Sequence, residues 1–202
     1  MTRFLLVRHA AIDAHGRSLP GRTPGVHLNA QGRLQAQALA RRIAGLPVSA
    51  VYSSPLERAV ETADPIAKLL GLQTAIGEEF QELDFGEWTG CEIDALAQLP
   101  AFQRFNAFRG CAPVPGGEFM LQAQARIVAG LEALRTRHAD AQVVVVSHGD
   151  MIKAAVAHYA GIPLDLFQRI EISPASISTV ELDAAAVRIL AINDTGLAQL
   201  QA

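Results

Sequence analysis

Six histidines are spread through the chain, and two of them stand at matching places. Phe4-Leu5-Leu6-Val7 runs into Arg8-His9, and Val143 to Val146 runs into Ser147-His148-Gly149-Asp150. Such apolar runs fit strands covered on both faces, as in a parallel sheet flanked by helices. If the two runs are parallel neighbours, both imidazoles emerge at the carboxyl ends of their strands, where open α/β sheets bind ligands. A single histidine so placed is more often a packed or loop-capping residue, but two at equivalent strand ends favour a shared site.

Two further segments carry chemistry. Ser53-Ser54-Pro55-Leu56-Glu57-Arg58 reads as a strand end, a capped turn and an early-helix arginine. The amino-terminal turn of a helix presents free NH groups and partial positive charge, and Arg58 adds a planar cation, so the natural ligand is an anion, phosphate above all. Arg58 could equally pair with Glu57 or Glu61 on a solvated helix face. Gln81 to Gly90 gathers three acids, Glu82, Asp84 and Glu87, around the lone tryptophan, Trp88. A carboxyl in a partly apolar mouth has its pKa raised and can donate a proton near neutrality, and Glu82 is the candidate. A solvated acidic loop is the plain alternative, and it is the reading preferred for Asp84 and Glu87.

These side chains need elements to position them. Besides the two runs, Ala50 to Ser53 is a shorter candidate strand. Helical patterns cover Ala30 to Ala44, with Leu34, Ala38 and Ile43 inward; Leu56 to Leu70, with Ala59, Ala63, Ile66 and Leu70; and Glu118 to His138, with Leu121, Ile127, Val128, Leu131 and Leu134. Asn29 can cap the first, and Ser54 with Pro55 reads as N-cap and first helical residue of the second. Ile177 to Leu182 and Val187 to Ile192 look like a late hairpin closing the sheet, while Leu83 to Gly90 and Pro113 to Gly117 are loops. Strand and helix alternate, which predicts an α/β three-layer sandwich with a mostly parallel central sheet. No repeat or linker breaks the chain, so one domain is expected over residues 1–202.

Composition bounds the rest. The 202 residues are 50% hydrophobic and 18% charged with a formal net charge of -3, which excludes a disordered chain and allows a core without disulfides. Cys91 and Cys111 are therefore read as reduced. Lysine occurs only at Lys68 and Lys153, which gives no field for nucleic acid or an anionic membrane surface. No apolar run is long enough for a membrane span or a signal-peptide core, and a cytoplasmic location is expected.

Taken together, Leu6-Val7-Arg8-His9, Leu28 to Ala36, Ser53 to Ala59 with Glu61-Thr62-Ala63, Glu82 to Gly90, Gly116-Gly117-Glu118 and Ser147-His148-Gly149 resemble the histidine phosphatase superfamily, in that superfamily's chain order. The group contains cofactor-dependent phosphoglycerate mutases and small phosphatases such as α-ribazole phosphatase, and Asp84 to Trp88 looks closer to the phosphatases. The resemblance implies a phosphoglycerate mutase-like fold and a metal-independent phosphomonoesterase without cofactor, acting on a small phosphorylated metabolite. In that reading His9 attacks phosphorus and holds it as phosphohistidine, and Glu82 protonates the leaving group. Arg8, Arg58 and His148 surround the phosphoryl oxygens. His15, Gly21 and Gly149 are implied as further substrate-binding positions. His27, His138 and His158 lie outside the motifs and read as structural or surface residues.

Five positions depart from the family's usual residues: Ala10 for glycine, Ile12 for a hydroxyl residue, His15 near an asparagine, Thr89 for an acid and Phe119 for serine. All leave the implied catalytic set intact and bear on substrate identity. Two alternatives stand beside the phosphatase. A mutase would need a lid that retains the intermediate, and Glu82 and His148 stand 66 positions apart, which is short for one. A phosphate-binding regulatory module without turnover would have no use for a proton donor. The final hairpin leaves a sheet edge through which a homodimer could form.

Overall fold

The protein is described as a computed structural model, and residues 1–196 are described here. Six strands form one sheet: β1 (Thr2–Arg8), β2 (Val48–Ser53), β3 (Thr74–Ile76), β4 (Gln142–Ser147), β5 (Ile177–Leu182) and β6 (Val187–Asp194). Their spatial order is β3-β2-β4-β1-β5-β6. The first four run parallel, with Leu5 beside Val144 and Arg8 beside Ser147, and β5 pairs antiparallel with both β1 and β6. The helices are α1 (Ala30–Ile43), α2 (Glu57–Leu69), α3 (Ile93–Ala97), α4 (Pro100–Ala107), α5 (Met120–Arg137) and α6 (Gly149–Ala160). The three-layer α/β architecture expected from the alternation of patterns is the one observed.

The two apolar runs are continuous because each strand buries both faces. Phe4, Leu6, Val143 and Val145 enter a core shared with Ile127 and Leu131 of α5 and Met151 and Val156 of α6. Leu5, Val7, Val144 and Val146 point the other way, against Leu39 and Ile43 of α1 and Ala63 and Ile66 of α2. Alternation along one strand thus feeds two cores.

Helix faces differ from expectation where leucine alone marks the inward side. Leu34 and Ala38 of α1 are exposed, as is Leu121 of α5. The buried stripe of α1 is Gly32, Ala36, Leu39, Ala40 and Ile43. The cause is close approach: a Cβ on Gly32 would stand 2.1 Å from the carbonyl oxygen of Ala11. Only glycine lets the helix lie against the chain just beyond His9, and that contact sets the helix's rotation. Asn29 caps α1 as expected, its side chain accepting the Gly32 NH at 2.8 Å. Ser54 is not the N-cap of α2, which begins at Glu57 with Leu56 in the cap position; its hydroxyl accepts the Leu56 NH at 3.3 Å just ahead of the helix and also meets His148 at 2.8 Å. α5 begins at Met120 rather than Glu118 because Glu118 is drawn into an arginine cluster described below.

The strand β3, the helices α3, α4 and α6, and a 3-10 segment at Leu164–Arg169 were not assigned from the sequence. Cys91 and Cys111 are free thiols. Among the described residues no helix is long and apolar enough to cross a membrane.

Candidate active site

The parallel register does what the paired histidines require. With Arg8 beside Ser147, the next residues, His9 and His148, leave adjacent strands together, and their ring centroids lie 5.3 Å apart. The His9 NH donates to the Ser147 carbonyl at 2.9 Å, and the Ser54 NH donates to Val146 at 2.9 Å, so three strand ends are laced at one edge.

His9 is buried, and its Nδ1 lies 2.8 Å from the carbonyl oxygen of Ala10. A carbonyl only accepts, so Nδ1 carries the proton. Burial, then Arg58 and Arg8, hold the imidazole well below its ordinary pKa. A neutral ring protonated at Nδ1 has its lone pair on Nε2, the form a nucleophile needs.

His148 has the opposite tautomer. Arg58 Nη2 lies 3.3 Å from its Nδ1 and can only donate, so Nε2–H donates to Ser54 Oγ at 2.8 Å. Burial, then Arg58 and His9, keep this ring neutral too.

Arg58 is fully buried and makes no pair with Glu57 or Glu61, which removes the solvated-face alternative. Its Nη2 donates to the Gly21 carbonyl at 2.7 Å, so Gly21 orients the arginine. Thr62 Oγ1 donates to the Arg58 carbonyl at 2.7 Å and accepts the Ala10 NH at 3.0 Å, tying α2 to the residue after His9. Arg58 Nε and Nη1, and Arg8 Nε, are buried with no partner in the protein. A guanidinium is always charged, and buried donors of this kind are stable only if an anion meets them. Arg8 Nη1 donates to the Ile172 carbonyl at 2.6 Å, and its guanidinium lies against Gly149, where a Cβ would stand 3.2 Å from it. The amino terminus of α6 therefore faces the same point.

Arg8, His9, Arg58 and Gly149 line a cavity of about 260 Å³ together with His15, Gly21, Glu82 and Asp150, and His148 lies buried behind that wall. His15 stands at the mouth, its Nδ1 3.2 Å from Arg8 Nη2, and burial followed by Arg8 lowers its pKa. Glu82 has its carboxyl pushed up to about 7 by burial and then by Asp150, against the pull of Arg58. One oxygen accepts the Leu83 NH at 2.9 Å and the other lies 3.8 Å from His148 Nδ1. The arrangement offers an unprotonated imidazole nitrogen, a cradle for a dianion and a carboxylic acid able to give up a proton near neutrality.

The glycine motifs hold the acid in place. A Cβ at Gly86 would fall 2.2 Å from the Pro115 carbonyl oxygen, and one at Gly117 would fall 2.4 Å from that of Asp84, so the two loops pack backbone to backbone. Glu118 accepts from Arg22 Nη2 and Arg126 Nη2, each at 2.9 Å, while Arg22 Nε donates to the Glu82 carbonyl at 2.8 Å. Glu87 is exposed, and Asp84 accepts the Gly86 NH at 2.9 Å.

Several departures now have a structural setting. Ala10 is buried beside Ile12, Leu28 and Ala36, and it is not among the residues with positive φ, so its methyl group fits without strain. Thr89 sits against Gly21, and the Phe119 NH donates to the Gln122 side chain at 3.0 Å.

Sequence reasoning missed Asp150 and Arg109. Arg109 Nη1 donates to Asp150 Oδ2 at 2.8 Å, and its guanidinium lies 4.0 Å from the Phe105 ring centroid and 4.9 Å from that of Phe167. Asp150 adjoins the Ser147-His148-Gly149 motif, a local signal, whereas nothing near Arg109 marks it. Lys153 and Glu171 also reach the cavity wall without any motif. Among the described residues no group of three or more His, Cys, Asp or Glu side chains could hold a metal ion.

A mostly parallel α/β sheet that presents two neutral histidines and two arginines beside a carboxyl whose pKa is raised to about 7 is built for phosphoryl chemistry. The family comparison agrees: the model of the histidine phosphatase superfamily (branch 1) matches residues 4–195, and the chain belongs to that superfamily, a phosphatase class of enzyme. Phosphoserine phosphatase 1 of Hydrogenobacter thermophilus is 30% identical over 200 residues, covering 96% of this chain and 93% of the relative. The structure of YhfR from Bacillus stearothermophilus superposes with a TM-score of 0.90 at 25% identity, covering 96% of this chain and 98% of the other. The α-ribazole phosphatase of Shigella flexneri shares the fold, with a TM-score of 0.84 at 22% identity and 96% of each chain covered.

Proposed function

We propose that the protein is a metal-independent phosphomonoesterase that hydrolyses a small phosphorylated metabolite through a phosphohistidine on His9. The tautomer of His9 is the observation that carries this reading, because its Nδ1–H is spent on the Ala10 carbonyl and Nε2 remains bare. In the first step Nε2 forms a bond to phosphorus as the bond to the ester oxygen breaks. The proton of Glu82 passes to the departing alkoxide, leaving Glu82 as carboxylate. In the second step that carboxylate takes a proton from water as the hydroxide oxygen bonds phosphorus and the N–P bond breaks. Inorganic phosphate leaves, and His9 and protonated Glu82 are restored.

Arg8 and Arg58 balance the charge spread over the non-bridging oxygens, the role a metal fills in other phosphoryl transfers. His148 starts neutral, but a phosphate dianion beside its Nδ1 favours protonation there, which would turn an acceptor into a further donor.

The test is turnover of p-nitrophenyl phosphate in EDTA together with acid-sensitive incorporation of one phosphoryl group, read by mass. Both should be lost in His9→Ala, with the rate falling by about 10⁴-fold or more. Retention of activity in that variant would end the nucleophile assignment. A mutase would be revealed by efficient transfer of the phosphoryl group back to a phosphoglycerate rather than to water.

A further inference from the structure

The phosphate cradle accounts for only part of the cavity, and the charges on its remaining wall can be sorted by what already pairs them. Arg8 and Arg58 carry the unpartnered buried nitrogens and together match a dianion. Asp150 is paired with Arg109 at 2.8 Å. His15 accepts from Arg8 and is held neutral. Among the described residues this leaves two lining side chains of full charge with no ion pair, the cation Lys153 and the anion Glu171.

Neither makes an ion pair within 4 Å among the described residues, although the Glu171 carboxylate is near enough to favour the charged forms of Arg8 and His15. Lys153 projects from α6 one turn beyond Gly149; its Nζ donates to the neutral amide oxygen of Gln168 at 3.1 Å and lies 5.9 Å from the Phe167 ring centroid, and neither contact is an ion pair. Glu171 precedes Ile172, whose carbonyl is fixed by Arg8 at 2.6 Å, so the phosphate-binding arginine also sets the position of the acid beside it.

We infer that Lys153 and Glu171 form the leaving-group subsite, and that the alcohol released carries both a carboxylate and an ammonium group, as in a phosphorylated hydroxy amino acid. Lys153 meets the carboxylate and Glu171 the ammonium. A leaving group with one charge alone would satisfy one side chain and leave the other beside an uncompensated partner. The inference rests on the phosphatase reading of the same site and adds the residues that select the substrate.

The experiment compares kcat/KM for four probes, with p-nitrophenyl phosphate as a report on the cradle. O-phosphoserine carries both charges, phosphoethanolamine the ammonium alone, 3-phosphoglycerate the carboxylate alone and glycerol phosphate neither. O-phosphoserine should exceed each of the other three by about tenfold or more. In Lys153→Met the ratio of O-phosphoserine to phosphoethanolamine should fall at least about tenfold, and in Glu171→Gln the ratio of O-phosphoserine to 3-phosphoglycerate should fall similarly. Ratios within one variant are insensitive to partial misfolding. Equal rates for the four probes, or unchanged ratios in both variants, with p-nitrophenyl phosphate turned over normally, would overturn the subsite alone. Failure to turn over p-nitrophenyl phosphate at all would overturn the phosphatase reading and the subsite with it.

Discussion

At the floor of the cavity Arg58 is fully buried with two guanidinium nitrogens that bond nothing in the protein, and His9 and His148 are buried and neutral. At the rim Lys153 is half-buried and Glu171 exposed. Removing a charge from water without a partner costs several kcal/mol, a cost recovered only when an oppositely charged ligand arrives, while a solvated charge costs almost nothing to hold. The floor therefore gives up stability for a fixed recognition geometry. The rim can change its residues cheaply, and it is where relatives with the same floor can come to prefer different esters.

The contrast can be broken first at Arg58. Arg58→Met should lower kcat/KM for p-nitrophenyl phosphate by about 10²- to 10³-fold while thermal stability holds or rises. A variant both inactive and much less stable would show that the buried guanidinium supports the fold, and the contrast between floor and rim would fail.

Glu82 is next. Glu82→Gln should slow esters of alkyl alcohols by about 10²-fold and p-nitrophenyl phosphate far less, because an activated phenolate leaves without a proton. The donor must be protonated, so the wild-type rate with alkyl phosphates should fall as pH rises through about 7, a limb absent from the variant. Stability follows the same proton. With its pKa raised from the ordinary 4.5 to about 7, Glu82 contributes stability at low pH that is lost as pH rises through 7. Thermal melts of Glu82→Gln should therefore gain on the wild type between pH 5 and pH 8. His9 and His148 act with the opposite sign: their depressed values contribute stability above the ordinary 6.5 that is lost as the medium becomes more acid.

A smaller effect is expected at Asp150, whose charge helps to raise Glu82. Asp150→Asn should move the descending limb to lower pH and reduce the alkyl-phosphate rate at pH 8 by about two- to fivefold. An unmoved limb would assign the raised pKa to burial alone. The smallest expected effect lies outside the cavity. Leu34→Gln should change unfolding free energy by less than about 0.5 kcal/mol, since the leucine is 60% exposed; a larger loss would restore Leu34 to the core.

The floor was legible because each of its parts is signalled within a few residues. An apolar strand followed by Arg8-His9 or Ser147-His148, and a strand end leading to Arg58, are local patterns, and chain order assembled them into a recognisable set. The orientation of α1 was not legible, because the rule that leucine points inward fails where Gly32 lets the helix touch backbone. The role of Ser54 was legible only in part: a serine before a proline suits the start of a helix, and its hydroxyl does accept the Leu56 NH, but its second contact, the His148 ring arriving from β4, comes from a distant part of the chain. Arg109 could not have been found, since its partners Phe105, Phe167 and Asp150 meet only after α4, α6 and the segment beyond α6 pack together.

What the sequence alone determined is the chemical inventory and its place on strands: two imidazoles, two arginines and one acid, with apolar runs that demand helices on both faces of the sheet. Tertiary structure decided which nitrogen of each histidine holds the proton, which carboxylates are already paired, and which two charges at the rim make no ion pair among the described residues. Those are properties of pairs rather than residues. A tautomer depends on whether a carbonyl or a guanidinium lies opposite, and a free charge is free only because no partner arrived from a distant part of the chain.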